Sequence, residues 1–292
     1  MENKNSRTYL SVVIVIIIGA LVALAGSQGS TKVGGFPLYA LAVIVAFMVQ
    51  WVVFVPSYMN KTEKFFDLTG SLTYITVTFL AFLLSPVKDF RSIVLLILVT
   101  IWALRLGLFL FARIQAAGED RRFRELKTSF PRFLNTWTLQ GLWVTFSLAA
   151  ALAVITSETR VAFDIFAAVG ILIWILGFVI EAVSDWQKSA FKADPNNEGK
   201  FIRTGLWSWS RHPNYFGEII LWVGIAVISL PVLSGWQWVT LISPVFITIL
   251  LTRISGVPML EKRADEKWGG QSDYESYKAN TSVLVPMPPK RE

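Results

Sequence analysis

The stretch Lys200–Glu218, KFIRTGLWSWSRHPNYFGE, sets three cations, the chain's single histidine, a proline and a carboxylate between two strongly apolar segments. Pro213 suits the first position of a helix, because its missing N–H would have no intrahelical partner there. His212 then falls at the N-cap, and the amides of Asn214 and Tyr215 lie in the first turn. Those amides, the positive end of the helix dipole and Arg211 beside them favour a phosphate or carboxylate. Gly217 allows another group to approach the helix backbone closely. Asn214 and Glu218, four apart, share one helix face. The stretch reads as a cofactor grip at the mouth of a membrane helix.

The rest of the chain supports a membrane setting. Its 292 residues are 54% hydrophobic and 16% charged, with a mean hydropathy of +0.54. An ordinary soluble domain carries about 25% charged residues. The apolar residues come in runs near the ~20 residues needed to cross a bilayer. The sequence has no cysteine, which excludes disulfides, thiolate chemistry and Cys-based metal sites. One histidine and no HExxH pair argue against a catalytic metal, and no metal site is expected.

Eight apolar segments follow one another: Tyr9–Ala25, Pro37–Val55, Phe66–Leu84, Ser92–Phe111, Trp137–Ile155, Phe163–Val183, Tyr215–Leu233 and Trp236–Leu251. The last two meet at Ser234-Gly235, which predicts a tight helical hairpin, and Pro231 predicts a kink or an early end in the seventh. The first segment has a rival reading as a signal peptide, because Ala23-Leu24-Ala25 precedes Gly26; its length favours a retained helix. The fold expected is all-α: a polytopic transmembrane bundle of about eight helices, with an amphipathic C-terminal tail.

Charge placement orients the bundle. With alternating spans, one side holds the N-terminus, the second, fourth and sixth loops and the tail, and collects 21 of the 27 lysines and arginines. The opposite side holds four: Lys32, Lys88, Arg91 and Arg160. Arg105 and Arg113 lie in or at the edge of segment four. The positive-inside rule then puts both termini in the cytoplasm. Most of these cations need only mark topology against anionic headgroups, so nucleic acid is not implied.

Charges within or at the ends of spanning helices are costly unless paired or hydrated, and here they gather at one depth. Asp67 opens segment three, where helix capping is the simpler role. Arg105 lies about two turns inside Arg113, which can snorkel to the headgroups. Glu181, Asp185, Lys188 and Lys192 follow spacings of four, three and four along one helix face. Glu218 starts segment seven, and Arg253 ends segment eight. His212 can serve as an N-cap or packed residue, and Trp207, Trp209, Trp222 and Tyr215 also suit an interfacial aromatic belt. The loop Glu119–Arg124 reads as a solvated surface that could also close over a ligand. P-loop, GxGxxG, GxSxG and CxxC motifs are absent.

Three stretches carry a family resemblance: WALRLGLFLFARI with GEDRRFRELK, DWQKSAFKADPNNEGKFIRTGLW, and GLWSWSRHPNYFGE with MLEKRADEKWGGQSDYESYKANTSVLVPMPP. Together they resemble the bacterial steroid 5-alpha-reductase-like integral membrane family, from about Thr62 to Pro289. Sterol reductases and isoprenylcysteine carboxyl methyltransferases share the Arg-His-x-x-Tyr-x-Gly element and the Tyr-x-x-Tyr tail. The resemblance implies two parts, N-terminal transmembrane helices over 1–61 and a reductase-like membrane domain with cytoplasmic cofactor loops over 62–289.

What it implies chemically is an NADPH-dependent reductase of an activated C=C bond in a steroid-like or isoprenoid lipid. Asp185, Lys192, Asn214, Glu218 and Arg253 fall where such reductases contact the dinucleotide; Arg211, His212 and Tyr215 are the shared motif residues, and Lys188 adds a cation. Asp67 falls near a family glutamate that helps polarise the substrate carbonyl. Where steroid reductases place a tyrosine on the 3-keto oxygen, this chain has Trp102, whose indole donates one hydrogen bond but does not release a proton at neutral pH. Tyr74, two turns from Asp67, is the substitute. The alternative cofactor is S-adenosylmethionine, in a membrane methyltransferase of the isoprenylcysteine carboxyl type. Leu260-Glu261-Lys262, where those enzymes have adjacent glutamates, and the cluster of cations favour the dinucleotide. A non-enzymatic transporter or scaffold is the third reading. The expected partners are a lipid or sterol-like small molecule and the membrane, with no nucleic acid; the setting is a bacterial inner membrane.

Overall fold

The structure, a computed structural model, describes residues 2–288, apart from the side chains at positions 2–4, 117 and 121. Met1 and Pro289–Glu292 lie outside the described residues, and so do the side chains of the topology cations Lys4, Arg121, Lys290 and Arg291. The helices are α1 (Glu2–Gly26), α2 (Leu38–Met59), α3 (Phe66–Leu84), α4 (Phe90–Ala117), α5 (Phe130–Thr156), α6 (Ile165–Ala193), α7 (Pro213–Ser229), α8 (Ile242–Ile249), α9 (Val257–Trp268) and α10 (Ser272–Asn280). Two-residue strands at Lys32–Val33 and Phe36–Pro37 form a small antiparallel turn. Among the described residues seven helical stretches are long and apolar enough to cross a membrane. The protein is an integral membrane helix bundle, as its composition requires.

The seventh segment ends early, as Pro231 predicts, and the eighth is more broken than a single plain span. α7 has 17 residues and stops at Ser229, two residues before Pro231, which cannot donate the next backbone hydrogen bond. The eighth segment is broken into a 3-10 turn (Gly235–Leu241), α8, a π-helical turn (Leu250–Ile254) and α9. Pro244 withholds an N–H near the start of α8. Pro258 does so near the start of α9, where Ser255 N–H reaches back five residues to the Leu250 carbonyl at 2.9 Å. Seven candidate spans and the shorter α7 together account for the eight apolar segments expected.

Contacts divide the described chain into two compact units, one within Met1–Ala167 and Ile228–Ser243, the other within Ala168–Val227 and Pro244–Glu292. In the first, α5 is the axis, packed by α1, α2, α3, α4 and the 3-10 turn. Every residue from Leu148 to Thr156 on α5 is buried, and the alanines there let neighbouring backbones come close. Ser229 and Ser243 donate hydroxyls to α5 carbonyls, at 3.2 Å to Ala150 and 2.6 Å to Ser147. Three of the four cations counted on the sparse side are tied to the connections α3–α4 and α5–α6, two of them from one connection to the other. Arg91, fully buried, pairs with Asp164 at 2.5 Å, Arg160 donates to Ser85 at 3.0 Å, and Lys88 caps the Ser85 carbonyl at 2.5 Å.

The second unit rests on a seam of glycines. Gly170 and Gly177 on α6 and Gly217 and Gly224 on α7 each recur at seven residues, on one face of their helix. A methyl group on Gly217 would stand 2.5 Å from the Glu181 amide nitrogen and 2.6 Å from the Gly177 carbonyl oxygen. One on Gly224 would stand 2.6 Å from the Gly170 carbonyl oxygen. The group that approaches Gly217 is thus the α6 backbone. Gly217→Ala should lower the melting temperature in detergent, by about 1–3 kcal/mol of overpacking; helix propensity alone would stabilise the variant by about 1 kcal/mol.

Candidate functional site

The polar cluster of the second unit is built where α6 leaves its apolar stretch and α7 begins. Gly205, at φ +61°, turns the chain against the Gln187 side chain, which accepts a hydrogen bond from Leu206 N–H at 3.0 Å. Trp207 is buried, and its indole donates to the Ser184 carbonyl of α6 at 3.0 Å. Lys188 stands over the same indole ring, 4.4 Å from its centroid, so part of its charge is used in a cation–π contact. Beside this turn an open groove of about 570 Å³ is lined by Val179, Ile180, Val183, Gln187, Leu206 and Trp209, among others.

The C-terminal tail straps the turn from its other side. Arg211 N–H donates to the Ser282 carbonyl at 2.8 Å, and Met287 N–H to the Trp209 carbonyl at 3.0 Å. Ser210, fully buried, donates its hydroxyl to the Leu284 carbonyl at 2.7 Å and accepts from His212 N–H at 3.1 Å. Tyr277 donates to the Trp207 carbonyl at 2.7 Å, and burial pushes its phenol above the ordinary range. Phe201 packs against Trp268, Tyr274 and Tyr277, which fastens the loop before the turn to α9 and α10.

At the centre Glu261 of α9 bridges two motif residues. One oxygen lies 2.6 Å from Arg211 Nη1 and the other 2.7 Å from His212 Nε2. The His212 carbonyl accepts from Phe216 N–H at 3.2 Å, as an N-cap should. The His212 ring is 4% exposed and stacks on Tyr215, with centroids 5.8 Å apart and planes 11° apart. Burial lowers its pKa from the ordinary 6.5, and the Glu261 hydrogen bond opposes that shift only in part. The contact is therefore a hydrogen bond from a neutral imidazole. Asn214 donates to Asp185 at 3.2 Å, joining the first turn of α7 to α6. Glu218, one residue after Gly217, is buried.

The structure brings together Arg211, His212, Asn214, Tyr215 and Asp185. Lys192 and Arg253 are exposed, Arg253 on the π-helical turn; three residues later Gly256 faces the Tyr215 ring, 2.9 Å from an added methyl. Glu261 escaped the sequence reading as a site residue. Its only signal was a carboxylate in the tail stretch that carries the family resemblance, 49 residues from the histidine.

In the first unit Tyr74 and Trp102 are buried and meet edge to face, centroids 5.0 Å apart and planes at 85°. Asp67 lies half-buried in the first turn of α3, within electrostatic reach of Arg122 and Arg113. The loop Glu119–Arg124 is tied down by Glu63, a buried carboxylate the sequence reading passed over. It accepts from Asp120 N–H at 3.0 Å and pairs with Lys127 at 2.6 Å. Further along α3, Gln50 donates to Thr73 at 2.7 Å, and Gln140 crosses Gly70 to reach the Phe66 carbonyl at 3.1 Å.

Residues 53–281 match the family described as "Protein of unknown function (DUF1295)". The chain belongs to that family. The site residues expected from the sequence, and Glu261, lie inside the matched stretch. The chain is also similar to steroid 5-alpha-reductases: 26% identical over 119 residues to the rat 3-oxo-5-alpha-steroid 4-dehydrogenase 1, 40% of each chain. With the steroid 5-alpha-reductase DET2 of Gossypium hirsutum it is 28% identical over 118 residues, 40% of this chain and 41% of that one. It is 40% identical over 62 residues to "Probable O-methyltransferase ustE" of Ustilaginoidea virens, 21% of this chain and 22% of that one. These matches span 22 to 41% of the relatives' lengths. No solved structure matches.

Because burial depresses the His212 pKa, its folded-state proton is lost more easily than in the unfolded chain. The associated stability is present above pH 6.5 and is lost as the pH falls below it, until the folded imidazole protonates too. Melting curves from pH 7.5 to 5 should therefore fall more steeply for the native protein than for His212→Asn; parallel curves would contradict the burial argument.

Proposed function

We propose that this protein is a membrane-embedded reductase that uses NADPH to saturate an activated C=C bond in a steroid-like or isoprenoid lipid. The observation that carries this reading is the cluster at the start of α7, where charged and polar groups are buried yet incompletely satisfied. Arg211 Nε and His212 Nδ1 are buried and have no hydrogen-bond partner among the described residues. Buried polar atoms left in that state cost about 1–3 kcal/mol each, and a bound polar ligand would relieve the cost. The α7 N-terminus, Lys188, Lys192 and Arg253 add the positive potential that a polyanionic dinucleotide needs. The donor set therefore fits NADPH.

In this reading Asn214, Tyr215 and Arg211 hold the nucleotide at the helix start, with His212 beside them. Asp185 orients Asn214 through their hydrogen bond, and Glu218 adds a buried carboxylate one turn further along α7. When bound, NADPH would supply a hydride to the substrate double bond. Negative charge then builds on the conjugated oxygen, and a donor in a low-dielectric site stabilises such charge by several kcal/mol. Tyr74, with Asp67 and Trp102, is the proposed source of that donor, and Tyr74 is the member able to pass on a proton. The apolar groove along α6 suits a lipid arriving from the bilayer. The sequence asymmetry of 21 cations against four supports a bacterial inner-membrane placement with both termini and the cofactor loops cytoplasmic.

S-adenosylmethionine-dependent methyl transfer is the second reading, favoured by the 40% identity over 62 residues to the ustE protein. Thermal melts of purified protein with each cofactor separate the two. NADPH at 100 times its Kd should stabilise the fold by about 2.7 kcal/mol, and S-adenosylmethionine should leave it unchanged. Stabilisation by the methyl donor alone would overturn the proposal. Lys188→Ala with Lys192→Ala should weaken NADPH about tenfold, a loss near 1.4 kcal/mol, and most clearly at low salt. Once a substrate is in hand, Tyr74→Phe should lower kcat and leave NADPH affinity unchanged.

A further inference from the structure

Glu261 does more than neutralise a neighbour. Its carboxylate stays ionised because Arg211 Nη1 is 2.6 Å from one oxygen, and an ionised carboxylate only accepts hydrogen bonds. The nitrogen 2.7 Å from the other oxygen, His212 Nε2, must then carry the proton. That leaves Nδ1 as a bare lone pair. The ring cannot turn to satisfy it, because Glu261 holds one edge and Tyr215 stacks on one face. Nδ1 is buried, in a residue 4% exposed, and no donor among the described residues reaches it.

We propose that Glu261 is a positioning residue that fixes the chain's single histidine as its Nε2–H tautomer and presents Nδ1 as an acceptor to a hydroxyl or amine of the bound ligand. The chemistry recognised is that of a neutral hydrogen-bond donor, such as a ribose hydroxyl or an exocyclic amine, and not of a phosphate, which would need a donor here. His212 thus differs from the cations around it: it reads a donor, whereas Arg211 and the lysines favour negative charge. The ligand half of this inference rests on the nucleotide reading above; the tautomer does not.

With one histidine in the sequence, nitrogen NMR of histidine-labelled full-length protein in detergent needs no assignment. At pH 7.5 the native protein should show a protonated Nε2 and a bare Nδ1. Glu261→Gln should keep that tautomer, because an amide oxygen still accepts, whereas Glu261→Ala should mix the two. A proton on Nδ1 in the native protein, or an unmixed Nε2–H spectrum in Glu261→Ala, would overturn the positioning role. Saturation with NADPH should move the Nδ1 resonance in the direction of hydrogen bonding, and Glu261→Ala should weaken NADPH about tenfold, as for one lost hydrogen bond. Adenosine and S-adenosylmethionine, run in parallel, show whether the donor belongs to the nucleoside or to the rest of the dinucleotide. A ligand that shifts the melting curve but leaves Nδ1 unmoved would overturn the ligand half. If no cofactor shifts the melting curve, the reductase reading falls, while the apo spectra still decide the tautomer.

Discussion

Close contact between the backbones of α6 and α7 is the constraint on which the second unit depends. Four glycines, two per helix and seven residues apart, remove the side chains that would otherwise hold the helices apart. With the backbones touching, Asn214 comes within hydrogen-bond reach of Asp185, and the start of α7 lies against the charged face of α6. Elsewhere in a membrane bundle such a cluster of charges would be expensive. Here Asp185 is met by Asn214 across the seam, and Arg211 by Glu261 from α9.

The tail supplies what the seam cannot. Residues 282–287 run along the turn at 209–211, and Ser210 uses its hydroxyl twice, as donor to the tail and as acceptor from His212. Glu261 then arrives from α9 to bridge Arg211 and His212. An arginine, a histidine and a glutamate thus share one largely buried site with their bonding only partly complete. Fully satisfied, such a network would be a structural lock. Left open at Nδ1 and Nε among the described residues, it is the feature on which the proposed ligand site rests.

The first unit follows a different plan. Its axis, α5, is buried along its length by small residues, and its polar side chains bind carbonyls and hydroxyls of adjacent helices, as Gln50 does with Thr73 and Gln140 with Phe66. Tyr74 and Trp102 meet edge to face, so the tyrosine proposed as donor packs against the indole. Tethering of the Glu119–Arg124 loop by Glu63 shows how one buried carboxylate can order a charged surface segment.

Membrane class, most helix positions and the polar start of α7 were readable in the sequence, because they depend on local quantities. Segment hydropathy, the Pro213 helix start and the four-residue spacing of Asn214 and Glu218 act over a turn or a span, and α3 begins and ends at the expected residues. Tertiary structure alone decided how the last segments break, because the 3-10 and π turns answer to packing as well as to Pro244 and Pro258. It alone also decided which carboxylate meets His212. Nothing local distinguishes Glu261 from Glu266 or Glu275, and only folding across 49 residues sets its two oxygens against an arginine and a histidine.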